Sequence, residues 1–111
     1  MIRKAIYLPV FGLILLLYAC SAQTPQSDLR GAFLVDVRTP AEFAEGSVPG
    51  AVNIPLQEIP QRINEFKNKK QVVVFCRSGS RSRLAKEILE QHGITNVVDG
   101  GPWQSVARKI R

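Results

Sequence analysis

The chain has 111 residues, one domain's worth at most, with 15 Lys or Arg against 9 Asp or Glu and a formal charge of +6. The basic residues are not interleaved with aromatics and no nucleic-acid motif is present, so nucleic acid is discounted as a partner. No metal and no cofactor is called for.

Residues 1–19 are not expected to belong to the fold. Met1–Lys4 is short and basic, and Ala5–Ala19 is apolar apart from Pro9 and Gly12. A basic start followed by an apolar run reads as a secretory signal. The run falls short of the roughly 20 residues that a permanent span needs, which leaves an uncleaved anchor as the alternative. It ends in Leu17-Tyr18-Ala19-Cys20, which resembles the lipobox of bacterial lipoproteins, although Tyr18 departs from the usual small or aliphatic residue. That resemblance implies a lipid on Cys20 and a protein held on a membrane by its acyl chains. It also implies the periplasmic face, with Ser21 favouring the outer membrane. Ordinary cleavage to a soluble periplasmic product is the competing outcome. Loss of Arg3 and Lys4 lowers the charge to +4. Ser21–Asp28 is polar without periodicity; residues 20–29 read as the lipidated N-terminus and a flexible tether, and 30–111 as the domain, small enough to bury only a limited core.

The elements follow in order. Ala32–Val37 suits a buried strand. Thr39 and Pro40 open a short helix as cap and first residue. Gly46–Gly50 is a loop and Ala51–Ile54 a second strand. Pro60 is expected to open a helix whose apolar face is Leu56, Ile59, Ile63 and Phe66. Val72–Phe75, the most apolar β-branched run, reads as a central parallel strand covered on both faces, with Cys76 as the first residue after it. Ser82–Gln91 reads as a helix burying Leu84, Ala85, Ile88 and Leu89, and Gly93 stops it. Asn96–Asp99 is a last strand, Gly100-Gly101-Pro102 a turn, and Trp103–Ile110 a closing helix. Alternating strands and helices predict an α/β fold with a parallel sheet and helices on both faces.

The chemistry is expected beyond the C-terminal ends of the strands, where Cys76-Arg77-Ser78-Gly79-Ser80-Arg81-Ser82 lies. Gly79 lets the loop curl. A curled loop directs several backbone N–H groups into one anion nest, and the helix start adds partial positive charge. Arg77 and Arg81 add full charges, and Arg81 suits bidentate contact with an oxyanion. Such surroundings turn Cys76 into a thiolate near neutral pH without a histidine. His92, the single histidine, sits at the far end of the helix and reads as a surface residue, which disfavours a Cys–His hydrolase. A disulfide between Cys20 and Cys76 is the bland alternative in an oxidising compartment. A structural buried cysteine is another, against which the neighbouring Gly and Arg residues speak.

Cys76-Arg77-Ser78-Gly79-Ser80-Arg81 resembles the active-site loop of rhodaneses, Cys-Arg-x-Gly-x-Arg. Three further segments resemble that family in order: Asp36-Val37-Arg38 with Glu42-Phe43, then Val48 to Pro55, then Gly100-Gly101. The resemblance implies a rhodanese-like three-layer α/β/α fold with a central, mainly parallel sheet of four to five strands. It implies a sulfurtransferase in which Cys76 takes a sulfane sulfur from a small anionic donor such as thiosulfate and passes it to a thiol-type acceptor. It assigns anion steering to Arg77 and Arg81, the cradle to the backbone of Arg77 through Ser82, and further hydrogen bonds to the hydroxyls of Ser78, Ser80 and Ser82. Asp36, Arg38 and Glu42 are expected to support the strand end, with Arg38 pairing Glu42. Trp103 is expected to pack in the core. Four residues separate Cys76 from Arg81, one fewer than in Cys-based phosphatases, which favours sulfur over phosphate. Ser47 stands where the family usually has histidine, so looser loop packing is expected there. A sulfur carrier without turnover is the alternative function, and an oxyanion reductase or phosphatase a more distant one.

Overall fold

The computed structural model describes residues 28–111; the expectations for the signal, Cys20 and most of the tether lie outside them. Four strands form one sheet: β1 (Phe33–Asp36), β2 (Val52–Asn53), β3 (Val72–Cys76) and β4 (Val97–Pro102). The order is β2-β1-β3-β4, and each pairing is parallel. The helices are α1 (Pro40–Ala44), a 3₁₀ helix (Leu56–Phe66), α2 (Ser80–Gln91) and α3 (Trp103–Lys109). The expected α/β architecture is present, with four strands.

Strand alternation builds two cores. All five residues of β3 are buried. Val72, Val74 and Cys76 face one side with Ile59, Phe66, Ala85 and Leu89. Val73 and Phe75 face the other with Leu34, Val48 and Val106. A strand flanked on both sides by apolar layers needs no polar alternate residues. Period two therefore sends Cys76 to the face covered by α2. Leu29 packs in the second core, so burial starts at the last residue of the expected tether.

Several boundaries differ from expectation for identifiable reasons. Cys76 ends β3 rather than following it. Pro60 lies inside the 3₁₀ helix, and Arg62 leaves helical angles at φ −121, ψ 24. A proline disfavours α geometry in the preceding residue, so the apolar face of Ile59 and Phe66 is carried by tighter turns instead of one α-helix. The second helix starts at Ser80, two residues early. Its buried stripe is Ser82, Ala85 and Leu89, starting with a polar residue in the first turn, and Leu84 lies off that stripe, 45% exposed. The Gly-Gly-Pro segment does not turn the chain but continues β4. Val74 pairs Asp99 while Phe75 pairs Gly101, so Gly100 is an extra residue, a β-bulge. A Cβ on Gly100 would lie 2.6 Å from Val106 Cγ2, which requires glycine there.

Candidate active site

The site forms where β3 ends and α2 begins. Gly79 is the N-cap of α2, with φ +106 and ψ −13. That is a left-handed angle that other residues adopt at a cost. Glycine has no side chain to accept a bond from the first free N–H groups of the helix, a task usual for Ser, Thr or Asp at this position. Cys76 does so from the preceding strand. Its Sγ accepts hydrogen bonds from the amide of Gly79 at 3.0 Å and that of Ser82 at 3.3 Å. Ser82 is buried, and its Oγ lies 3.6 Å from the sulfur.

Burial pushes the Cys76 thiol up. The Ser82 hydroxyl and the amides of Ser82, Gly79 and Ser78 pull it down, and the balance lies below the ordinary value. The side chain backs onto hydrocarbon, and Cys76 has 0% of its surface accessible. The sulfur atom nevertheless faces the amides. Arg77, Ser78 and Ser80 are exposed on the loop. Ser78 serves through its amide, while Ser82 brings both amide and hydroxyl.

The charges are arranged differently from the pairing expected. Arg81 donates to both oxygens of Glu42, at 2.8 and 3.1 Å, a fork-to-fork contact between α2 and α1. Glu42 also completes a capping box with Thr39. The Arg81 bonds, followed by the Thr39 amide, hold the Glu42 carboxyl down at about 2. Arg38 does not pair with Glu42. It pairs with Asp36, through Nε at 2.9 Å and Nη2 at 2.7 Å, and donates to the Gly46 carbonyl. Both Asp36 and Arg38 are buried, and a buried carboxylate needs such partners. Arg77 remains as the exposed cation of the loop. It borders a cavity of about 260 Å³ with Glu42, Glu45, Gly46, Trp103 and Gln104.

Several contacts were not foreseen. Ser47 Oγ donates to Asp36 Oδ2 at 2.7 Å, so the loop is tied at the position where looser packing was expected. Asn53 donates to the carbonyls of Asp36 and Arg38, fixing β1 beside β2. Trp103 packs against the second core, and the Arg38 guanidinium lies over its ring at 5.3 Å. Asp99 Oδ1 accepts from Ser82 Oγ at 2.7 Å and from the Gly101 amide at 3.0 Å. A carboxylate at a strand end beside the reactive loop was the available signal for Asp99.

The rhodanese-like domain family matches residues 21–101 of this sequence. The chain belongs to that family. The rhodanese-like domain is 42% identical over 73 residues to a sulfurtransferase of Allochromatium vinosum, covering 66% of this chain and 68% of the relative. It is 40% identical over 75 residues to the thiosulfate sulfurtransferase PspE of Escherichia coli, covering 66% and 72%. A putative sulfur carrier protein of Bacillus subtilis, YrkF, is 33% identical over 69 residues; the match covers 62% of this chain but 37% of that protein. Among solved structures, a rhodanese with anions from E. coli superposes with a TM-score of 0.62 at 39% identity, covering 68% of this chain and 91% of the other. The rhodanese-like domain is thus a transferase of the sulfurtransferase type.

The depressed Glu42 carboxyl gives a pH signature. Its folded value, about 2, lies below the ordinary 4.5, so its stabilising contribution is complete above pH 4.5 and is lost as pH falls through 2. Glu42→Gln is expected to lower stability most above pH 4.5. In urea unfolding, the gap to wild type should narrow between pH 4.5 and 2. A gap constant over that window would show that the carboxylate charge does not hold α1 to α2.

Proposed function

We propose that the protein moves a sulfane sulfur from a small anionic donor of the thiosulfate type to a thiophilic acceptor, through a persulfide on Cys76. The observation that supports this most is the sulfur seated on the amides of Gly79 and Ser82 at the start of α2. A sulfur anion there is stabilised by N–H dipoles without a histidine or metal.

In the proposed first step the Cys76 thiolate attacks the outer sulfur of thiosulfate. A new S–S bond forms, the old one breaks, and its electron pair leaves with sulfite. The extra sulfur carries the negative charge. In the second step an acceptor such as cyanide or a thiolate attacks that outer sulfur, and Cys76 returns as thiolate. Because Sγ is enclosed, donor attack requires the loop around it to open. The exposed Arg77 guanidinium meets the incoming dianion, and Arg81, engaged with Glu42, holds the loop in place. The amides of Arg77 through Ser82 form the cradle, Ser78 and Ser80 face the approaching anion, and Asp36 and Arg38 brace the strand end.

The enclosed sulfur also favours a second reading, a carrier that hands its persulfide to one partner protein and turns over free donors slowly. We propose in addition that residues 1–19 are a removed signal, that Cys20 carries the lipid of a periplasm-facing lipoprotein, and that residues 21–29 link it to the domain. The apolar run and the Leu-Tyr-Ala-Cys segment support this.

Three measurements test these assignments. With thiosulfate and cyanide, Cys76→Ala is expected to abolish thiocyanate formation above background; equal slow rates in variant and wild type would leave only the carrier reading. Arg77→Ala is expected to raise the Michaelis constant for thiosulfate about threefold to tenfold, the size of one ordinary hydrogen-bonded contact at an exposed position. That effect should shrink in high salt, and an unchanged constant would remove Arg77 from donor binding. Mass spectrometry of protein from its host is expected to find one added sulfur on Cys76 and acyl chains on an N-terminal Cys20. An unmodified Cys20 behind an intact leader would eliminate the lipoprotein assignment.

A further inference from the structure

The Ser82 hydroxyl has one proton and three neighbours that can take it. These are the Asp99 carboxylate at 2.7 Å, the Gly79 carbonyl at 3.1 Å and the Cys76 sulfur at 3.6 Å. A carboxylate and a carbonyl accept only, and a thiolate accepts only. The shortest contact is to the charged oxygen, where a hydroxyl bond is strongest. With the proton on that side, Oγ turns a lone pair toward Cys76, which suits a thiol donating S–H and not a thiolate. Asp99 itself is held in place by the Gly101 amide at 3.0 Å. The β-bulge at Gly100 supplies that amide, and Gly101 has φ +71.

We propose that Asp99 is a positioning residue for the sulfurtransferase site: its carboxylate holds the Ser82 hydroxyl proton away from Cys76 and so competes with the thiolate for it. The inference rests on Cys76 as the nucleophile of the proposed function, but its test needs no turnover. The resting site then keeps its amide donors on the sulfur, while Asp99 shares the hydroxyl donor and weakens its pull on the thiol. Weakening the Asp99 contact releases that donor to Sγ and favours the thiolate. Of the other charges near the sulfur, Arg81 senses it directly. Arg81 is matched by Glu42 on α1, and Asp36 on β1 is matched by Arg38. These pairs are the same in every variant below.

The test is the pH profile of Cys76 alkylation by iodoacetamide in wild type, Asp99→Asn, Ser82→Ala and the double variant. Asparagine keeps an oxygen for the Gly101 amide and removes the charge. Asp99→Asn is expected to shift the profile to lower pH. The shift should be larger by about half a unit when Ser82 is present than in the Ser82→Ala background, since one hydrogen bond is at stake. Equal shifts in both backgrounds would mean that the carboxylate acts through space, and no shift would mean that it does not act on the thiol; either overturns the proposal. Salt provides a second measurement that needs no change at Ser82. At 1 M salt the Debye length falls to about 3 Å. The shift caused by Asp99→Asn should largely persist if the hydroxyl carries it, and its collapse would overturn the proposal. If thiosulfate turnover is absent while this coupling is present, the functional reading fails and the positioning role stands.

Discussion

The capping of α2 by a sulfur atom is the contact on which the rest of the site depends. A helix start leaves N–H groups that need an acceptor, and here the N-cap is glycine, which brings none. Cys76 reaches them only because β3 ends at that point with its last side chain on the α2 face. The same contact thus closes the strand-to-helix turn, satisfies buried donors and concentrates positive potential on one sulfur. Packing and reactivity share a single geometry, so a change in the loop that damages one damages the other.

Around that contact the charges form separate pairs with separate tasks. Asp36 and Arg38 are buried together at the end of β1 and bind the loop through Ser47 and the Gly46 carbonyl. Glu42 and Arg81 join α1 to α2 in a more open setting. Breaking a buried pair leaves an uncompensated charge and costs several kcal/mol, whereas a surface pair contributes about 1 kcal/mol or less. The first pair is therefore a foundation of the strand end, and the second sets the direction of the loop. Arg77 is left exposed toward solvent, at the rim of the cavity.

The strand-to-helix turn that carries the site was legible in the sequence, because local features define it. Val72–Phe75 could be read as a covered strand from its β-branched run, Thr39 and Pro40 as a helix start, and Gly79 as the left-handed corner. These depend on neighbours within a few residues. The partner of Glu42 was not legible, since Arg81 is 39 positions away and only the crossing of α1 and α2 brings them together. The exposure of Leu84 is not legible because Ser82, a polar residue, starts the buried stripe and turns that stripe away from Leu84. The role of Asp99 is not legible because a bulge at Gly100 aims it, and a Gly-Gly-Pro sequence looks the same whether it turns a chain or bends a strand. Ser47 satisfies a carboxylate that sequence alone gave no reason to connect with it.

Complete enclosure of the sulfur bears on its chemical survival. Peroxide and dissolved oxygen species must reach a thiolate before they can carry it to sulfenic and then irreversible sulfinic acid. An atom without contact to bulk water is sheltered from them for as long as the site stays closed. The same closure that delays a donor therefore lengthens the working life of the only described thiol. Exposure to oxidative damage would be confined to the moments in which the site is open.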